Sequence, residues 1–143
     1  MAKYAQGKYT IKNPEKYIGK RAPTYRSSWE FTFCQFCDNN PAVINWTSES
    51  IKIPYFNPVS GKNTIYVPDF LVVYEDKNTK KHTELIEIKP STETTMESAK
   101  SYKDKLSVAI NMAKWAAADS WAKANGMRLR VVTEYDIFKN TKR

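Results

Sequence analysis

The chain has 143 residues, 41% hydrophobic and 13% aromatic, which is the size and composition of one packed domain. Its formal net charge of +8 points to a polyanionic partner, nucleic acid first and an anionic membrane surface second. A single histidine excludes a two-histidine metalloprotease motif, and four glycines leave no glycine-rich phosphate loop. No run approaches the roughly 20 apolar residues of a membrane span, and the first seven residues carry no apolar signal region. The expectation is a soluble, intracellular protein.

Residues 1–26 are basic and rich in tyrosine. Lys3, Lys8, Lys12, Lys16, Lys20, Arg21 and Arg26 face one acid, Glu15, and four tyrosines are interleaved among them. No helical or strand period persists, so this segment is expected to be an arm and not a core element. Its lysines and arginines suit phosphates and its tyrosines suit bases or sugars. A solvated tail that wraps the domain through its tyrosines is the alternative. Lys8, Lys12, Lys20, Arg21 and Arg26 are the candidate nucleic-acid contacts.

Residues 27–39 read as a helix, with Ser27 as N-cap and Pro41 just beyond its end. Trp29, Phe33, Phe36 and Cys37 recur at helical spacing and are expected to face the core. Glu30 stands three residues after Ser27, as in a capping box, and that alone explains it structurally. Cys34 and Cys37 form the only CxxC. A zinc site needs about four ligands, and a redox CxxC normally opens a helix after a strand, so packing thiols are expected.

Residues 43–55 look like an irregular strand in which Pro54 marks an edge or a bulge. A dense turn signal at 57–63 follows. Next come two apolar arms, 66–74 and 84–90, joined by the polar stretch 75–81; they read as an antiparallel hairpin. Within this ribbon sit three charges that a sheet has no structural use for: Asp69, Glu87 and Lys89. Glu87 and Lys89 are two residues apart and share a face, and the hairpin brings Asp69 alongside Glu87. Buried charges cost several kcal/mol each unless paired or bound to metal, and adjacent carboxylates suit Mg²⁺ or Mn²⁺. A lysine–carboxylate cross-strand pair on a solvated face accounts for the same charges.

A polar loop at 91–95, a lid or a connector, leads into the longest helical pattern, residues 96–125. Ala99, Tyr102, Leu106, Ala109, Ile110, Ala113, Ala116, Ala117, Trp121 and Ala124 mark its expected apolar stripe, with Gly126 as the stop. Lys100, Lys103, Lys105 and Lys114 fall largely off that stripe and read as a solvated face. A strand at 127–133, a short turn or helix at 134–138 and a basic tail complete the chain. Strand, long helix, strand suggests a right-handed crossover if the strands are parallel.

Pro68-Asp69 followed on the next strand by Glu87-Ile88-Lys89 resembles the PD-(D/E)XK nuclease pattern. The contexts IYVPDFLVVY and LIEIKP resemble its TnsA-like branch. The whole chain is similar to the small head-completion nucleases of tailed bacteriophages, and the first 24 residues resemble only those.

The resemblance implies a single-domain α/β fold: a restriction-endonuclease-like mixed β-sheet flanked by helices, residues 27–143, behind a basic arm, 1–26. It implies a Mg²⁺-dependent DNA endonuclease, with Mn²⁺ as substitute, acting in head completion or DNA end processing. The site would comprise Glu30, Asp69, Glu87 and Lys89, with Asp69, Glu87, Glu30 and the Ile88 carbonyl as metal ligands. Lys105 matches a basic position on the helix after the ExK motif. DNA and a phage portal are the implied partners, and the host cytoplasm or the virion the implied location. A non-catalytic DNA- or portal-binding head protein on the same fold is the rival, and a zinc-stabilised nucleic-acid binder using the CxxC is a third reading.

Overall fold

The structure is a computed structural model that describes residues 6–141, with side chains described through Ile137. Its centre is a four-stranded mixed sheet built from β3 (Val43–Ser48), β6 (Phe70–Glu75), β7 (Lys81–Ile88) and β8 (Arg128–Val132), in the order β3-β6-β7-β8. β3 and β7 run antiparallel to β6, and β8 runs parallel to β7. The β6–β7 hairpin is the expected one, with its turn held by Asp76, whose carboxylate accepts the N–H groups of Asn78 and Lys80.

Alternation along the strands splits the apolar residues between two faces. Phe70, Val72, Ile86 and Ile88 join Phe33, Cys34 and Cys37 of α1 (Ser28–Asn39) and Ile137 of α3 (Glu134–Thr141). Leu71 and Leu85 join Ala118 and Ala122 of α2 (Tyr102–Ala124) and the inner side of a second hairpin, β4 (Ile53–Asn57) with β5 (Lys62–Tyr66). The result is a sheet with helices on both faces.

Several boundaries differ from the sequence reading. The irregular strand at 43–55 is two strands in different sheets. Pro54 lies in the two-stranded β4–β5 sheet, where every strand is an edge. Tyr66 belongs to β5, so the first arm of the motif hairpin starts at Phe70. The long helix begins at Tyr102, one turn and a half later than its pattern suggested. Ser101 Oγ accepts the Asp104 N–H at 3.0 Å, an N-cap that fixes the start, while Asp104 accepts the N–H of the preceding Lys100 at 3.3 Å. The buried face of α2 is Val108, Asn111, Ala118 and Ala122. Tyr102, Ala116 and Ala124 of the expected stripe are exposed. Alanine fits either face of a helix, so a stripe rich in alanine sets its phase poorly.

The N-terminal segment is not a free arm. β1 (Gly7–Lys8) pairs with β2 (Thr24–Tyr25), and Tyr9 is buried in the core. Asp38, near the end of α1, staples this segment down. Its carboxylate accepts the Tyr9 hydroxyl at 2.8 Å and the N–H groups of Lys12 and Asn13 at 2.8 and 2.9 Å. Lys16 donates to the carbonyls of Asp38 and Asn40, where the negative end of the helix dipole favours a cation. Burial opposes ionisation of Asp38, but these donors outweigh it and hold its carboxyl below the usual range.

Candidate active site

The chain passes from the β4–β5 hairpin into the central sheet through Val67, Pro68 and Asp69. Pro68 is fully buried and fixes this short link. Tyr66 at one end and Asp69 at the other both engage the C-terminal end of β7. Asp69 Oδ2 accepts the Ile88 N–H at 2.8 Å. Tyr66 donates its hydroxyl to Glu87 Oε1 at 2.8 Å, and Lys89 Nζ stands 3.6 Å from Glu87 Oε2. Asp69, Glu87 and Lys89 therefore meet at one end of the sheet. Because the Lys89 N–H bonds across to Val132 on β8, the peptide groups of Ile88 open towards the opposite edge, where Asp69 lies.

The electrostatics are those of a carboxylate pair short of positive charge. Burial raises the Asp69 carboxyl well above its ordinary range, and the charges of Glu87 and Glu30 push it further; the Ile88 N–H and Lys89 offset only part of this. Burial likewise raises Glu87, against Lys89, the Tyr66 hydroxyl and Lys114. Burial raises Glu30 as well.

Glu30 stands back from the pair. Ser27 Oγ accepts its N–H at 3.2 Å, and its own Oε1 accepts the Arg26 N–H at 3.1 Å, so its carboxylate serves the start of α1. Among the described residues no three His, Cys, Asp or Glu side chains converge closely enough to hold one ion. The oxygen donors that face one another are thus Asp69 and Glu87, with Glu30 within electrostatic range. A buried and a partly buried carboxylate whose charge is only partly compensated by Lys89 and Lys114 fit a divalent cation by the chemistry of their donors.

Lys114 is the site residue that the helical pattern missed. Placed with the solvated face in the sequence reading, it is half-buried, with Nζ 5.5 Å from the centre of the Tyr66 ring. Burial lowers its pKa, as does Lys89, while Glu87, Asp69 and Glu93 act in the other direction. Lys105, by contrast, is exposed in the first turn of α2. Of the candidate DNA contacts, Lys8, Lys12, Lys20 and Arg21 are exposed, and Arg26 is engaged by Glu49. The loop after Lys89 is pinned as a connector. Glu134 accepts the N–H and hydroxyl of Ser91, and Asn111 donates to the Glu93 carbonyl. Cys34 and Cys37 are free and fully buried; burial pushes Cys34 up to about 12 and Cys37 well above its ordinary value, so both are inert packing thiols.

The model of the TnsA-like endonuclease N-terminal family matches residues 40–134, a span that holds Asp69, Glu87, Lys89 and Lys114 but not Glu30. The chain belongs to this family, and it is an endonuclease. It is also 36% identical over 139 residues to the head completion nuclease of Enterobacteria phage T4, covering 90% of each chain. Among the described residues no helix is long and apolar enough to cross a membrane.

Proposed function

We propose that this protein is a Mg²⁺-dependent DNA endonuclease of phage head completion, cutting phosphodiester bonds at the Asp69–Glu87–Lys89 cluster. The observation that carries this reading is the meeting of Asp69 and Glu87 at the end of β7, both raised chiefly by burial, with Lys89 and Lys114 beside them. Asp69 and Glu87 would hold the ion, with the Ile88 carbonyl beside them and Glu30 behind. A divalent ion supplies Lewis-acid stabilisation of the phosphate and a more acidic water.

The protein's own groups prepare the rest. The Ile88 N–H and the Tyr66 hydroxyl fix one oxygen of each carboxylate, while Glu87 Oε2 faces Lys89. Lys89 places its ammonium at the mouth, where it orients the attacking water and meets charge developing on the phosphate. Lys114, packed against Tyr66, adds a second cation from the α2 side. The exposed Lys8, Lys12, Lys20 and Arg21 extend the basic surface along a DNA backbone. The name of the phage T4 relative supports a role in head completion; action in the host cytoplasm, with the portal as a partner, is part of the same proposal.

The test is cleavage of linear, nicked and branched DNA with Mg²⁺, Mn²⁺ and chelator. Wild type should cut only with metal, and Asp69→Ala and Lys89→Ala should both be inactive while remaining folded. Unchanged cleavage in both variants would leave the rival reading, a non-catalytic head protein on a nuclease fold.

A further inference from the structure

Glu49 is one of two non-glycine residues with positive φ among the described residues, at 47°. It follows the last residue of β3, and its N–H donates to the Asp69 carbonyl at 3.0 Å. Its carboxylate takes Arg26 in a two-point pair: Nε to Oε2 at 2.9 Å and Nη2 to Oε1 at 3.0 Å. The main-chain N–H of the same Arg26 holds Glu30 Oε1 at 3.1 Å. A continuous chain of contacts thus runs from the Asp69 carbonyl through Glu49 and Arg26 to the Glu30 carboxylate.

Stability alone does not account for this arrangement. A glutamate in the left-handed region is strained, and its ion pair, with the Glu49 side chain 26% exposed, is partly screened by solvent. Arg26 is 68% exposed. Strain of this kind, set against a weak surface pair, is what functional sites carry. Two-point binding by Glu49 fixes the plane of the guanidinium through Nε and Nη2. Nη1 and the outer Nη2 hydrogen face away from that carboxylate, a fork matched to a phosphate.

We propose that Arg26 binds a substrate phosphate beside the Asp69–Glu87 pair, and that Glu49 is the positioning residue that holds it there. The substrate contact of Arg26 is then part of the cleavage site and not of a diffuse basic arm. This rests on the reading of the site as one that cuts DNA.

The experiment compares wild type with Arg26→Ala, Arg26→Lys, Glu49→Asn, Glu49→Gln and the Arg26→Ala/Glu49→Asn double variant. Asparagine tolerates the left-handed conformation, so Glu49→Asn keeps the turn and its N–H bond to Asp69; Glu49→Gln keeps the side-chain length. Steady-state cleavage is measured alongside anisotropy titrations of a labelled duplex in chelator across a salt series. We expect kcat/KM to fall about tenfold or more in every single variant, Arg26→Lys included, because a point charge lacks the fork. The double variant should be no worse than Arg26→Ala. The salt slope should drop by about one phosphate in Arg26→Ala and stay unchanged in Glu49→Asn, which keeps the charge but loses its placement. Wild-type cleavage in Glu49→Asn and Glu49→Gln, full activity in Arg26→Lys, or multiplied losses in the double variant would overturn the proposal. Should wild type fail to cut DNA with any metal, the function reading falls; unaltered affinity in Arg26→Ala would then overturn the phosphate contact independently.

Discussion

Replacing Asp69 with asparagine should stabilise the metal-free protein while ending cleavage. The carboxyl of Asp69 is raised by burial and by the charges of Glu87 and Glu30. Each unit of such a rise represents about 1.4 kcal/mol of disfavoured ionisation. The pair shares its charge, so a conservative figure for removing one member at pH 8 is about 2 kcal/mol. The asparagine oxygen still accepts the Ile88 N–H, so no buried donor is orphaned. For a domain of this size, 2 kcal/mol corresponds to a Tm increase of roughly 5–10 °C.

The sign with pH follows from proton uptake. Between the ordinary carboxylate range and the raised value, the folded state binds more protons than the unfolded one, so metal-free stability falls as pH rises through that window. Asp69→Asn should flatten this fall. Thermal melts in chelator at pH 5 and pH 8, for wild type and variant, provide the assay. A variant less stable than wild type at pH 8, or one with the same pH slope, would refute the argument that the pair is repulsive. Mg²⁺ should raise the wild-type Tm more at pH 8 than at pH 5 and leave the variant unmoved.

Three further outcomes are expected. Lys114→Met keeps the packing over Tyr66 but removes a cation; cleavage should fall on the order of a hundredfold with little change in Tm, as rates and melts would show. Asp38→Ala leaves Tyr9 and two main-chain N–H groups without their acceptor and should cost about 3 kcal/mol in denaturant unfolding, with the loss greatest above the ordinary carboxylate range and fading as pH falls through the depressed value. Glutamine at Lys8, Lys20 and Arg21 together should weaken DNA binding and lower its salt slope by about three at constant Tm, whereas removing residues 1–20 should unfold the domain because Tyr9 belongs to its core.

The motif hairpin was legible in the sequence because two apolar arms of strand period flank a polar turn. Asp69, Glu87 and Lys89 stood out because charges in such arms demand a reason. Lys114 was not legible. Its helix presents many alanines, which carry little phase information, and the cap at Ser101 that sets the register lies five residues after the apparent start. The N-terminal segment packs as the alternative reading had it, through its tyrosines, and was hard to see for a related cause. Tyr9 follows a two-residue strand and enters the core through its hydroxyl contact with Asp38 and its ring contacts with Phe31 and Trp46, and none of these leaves a periodic trace. Glu49 offers no sequence signal either, since glutamate does not advertise a left-handed backbone. What the sequence conveyed was the chemistry of strands with a strict period; what it concealed were contacts made by single residues across long separations.

The central claim is that Asp69 and Glu87 together seat one divalent ion. Calorimetric titration of Mn²⁺ into wild type, Asp69→Asn and Glu87→Gln tests it without reference to cleavage. A binding isotherm for wild type that disappears in both variants is the predicted result, and an isotherm that survives unchanged in either would contradict the account.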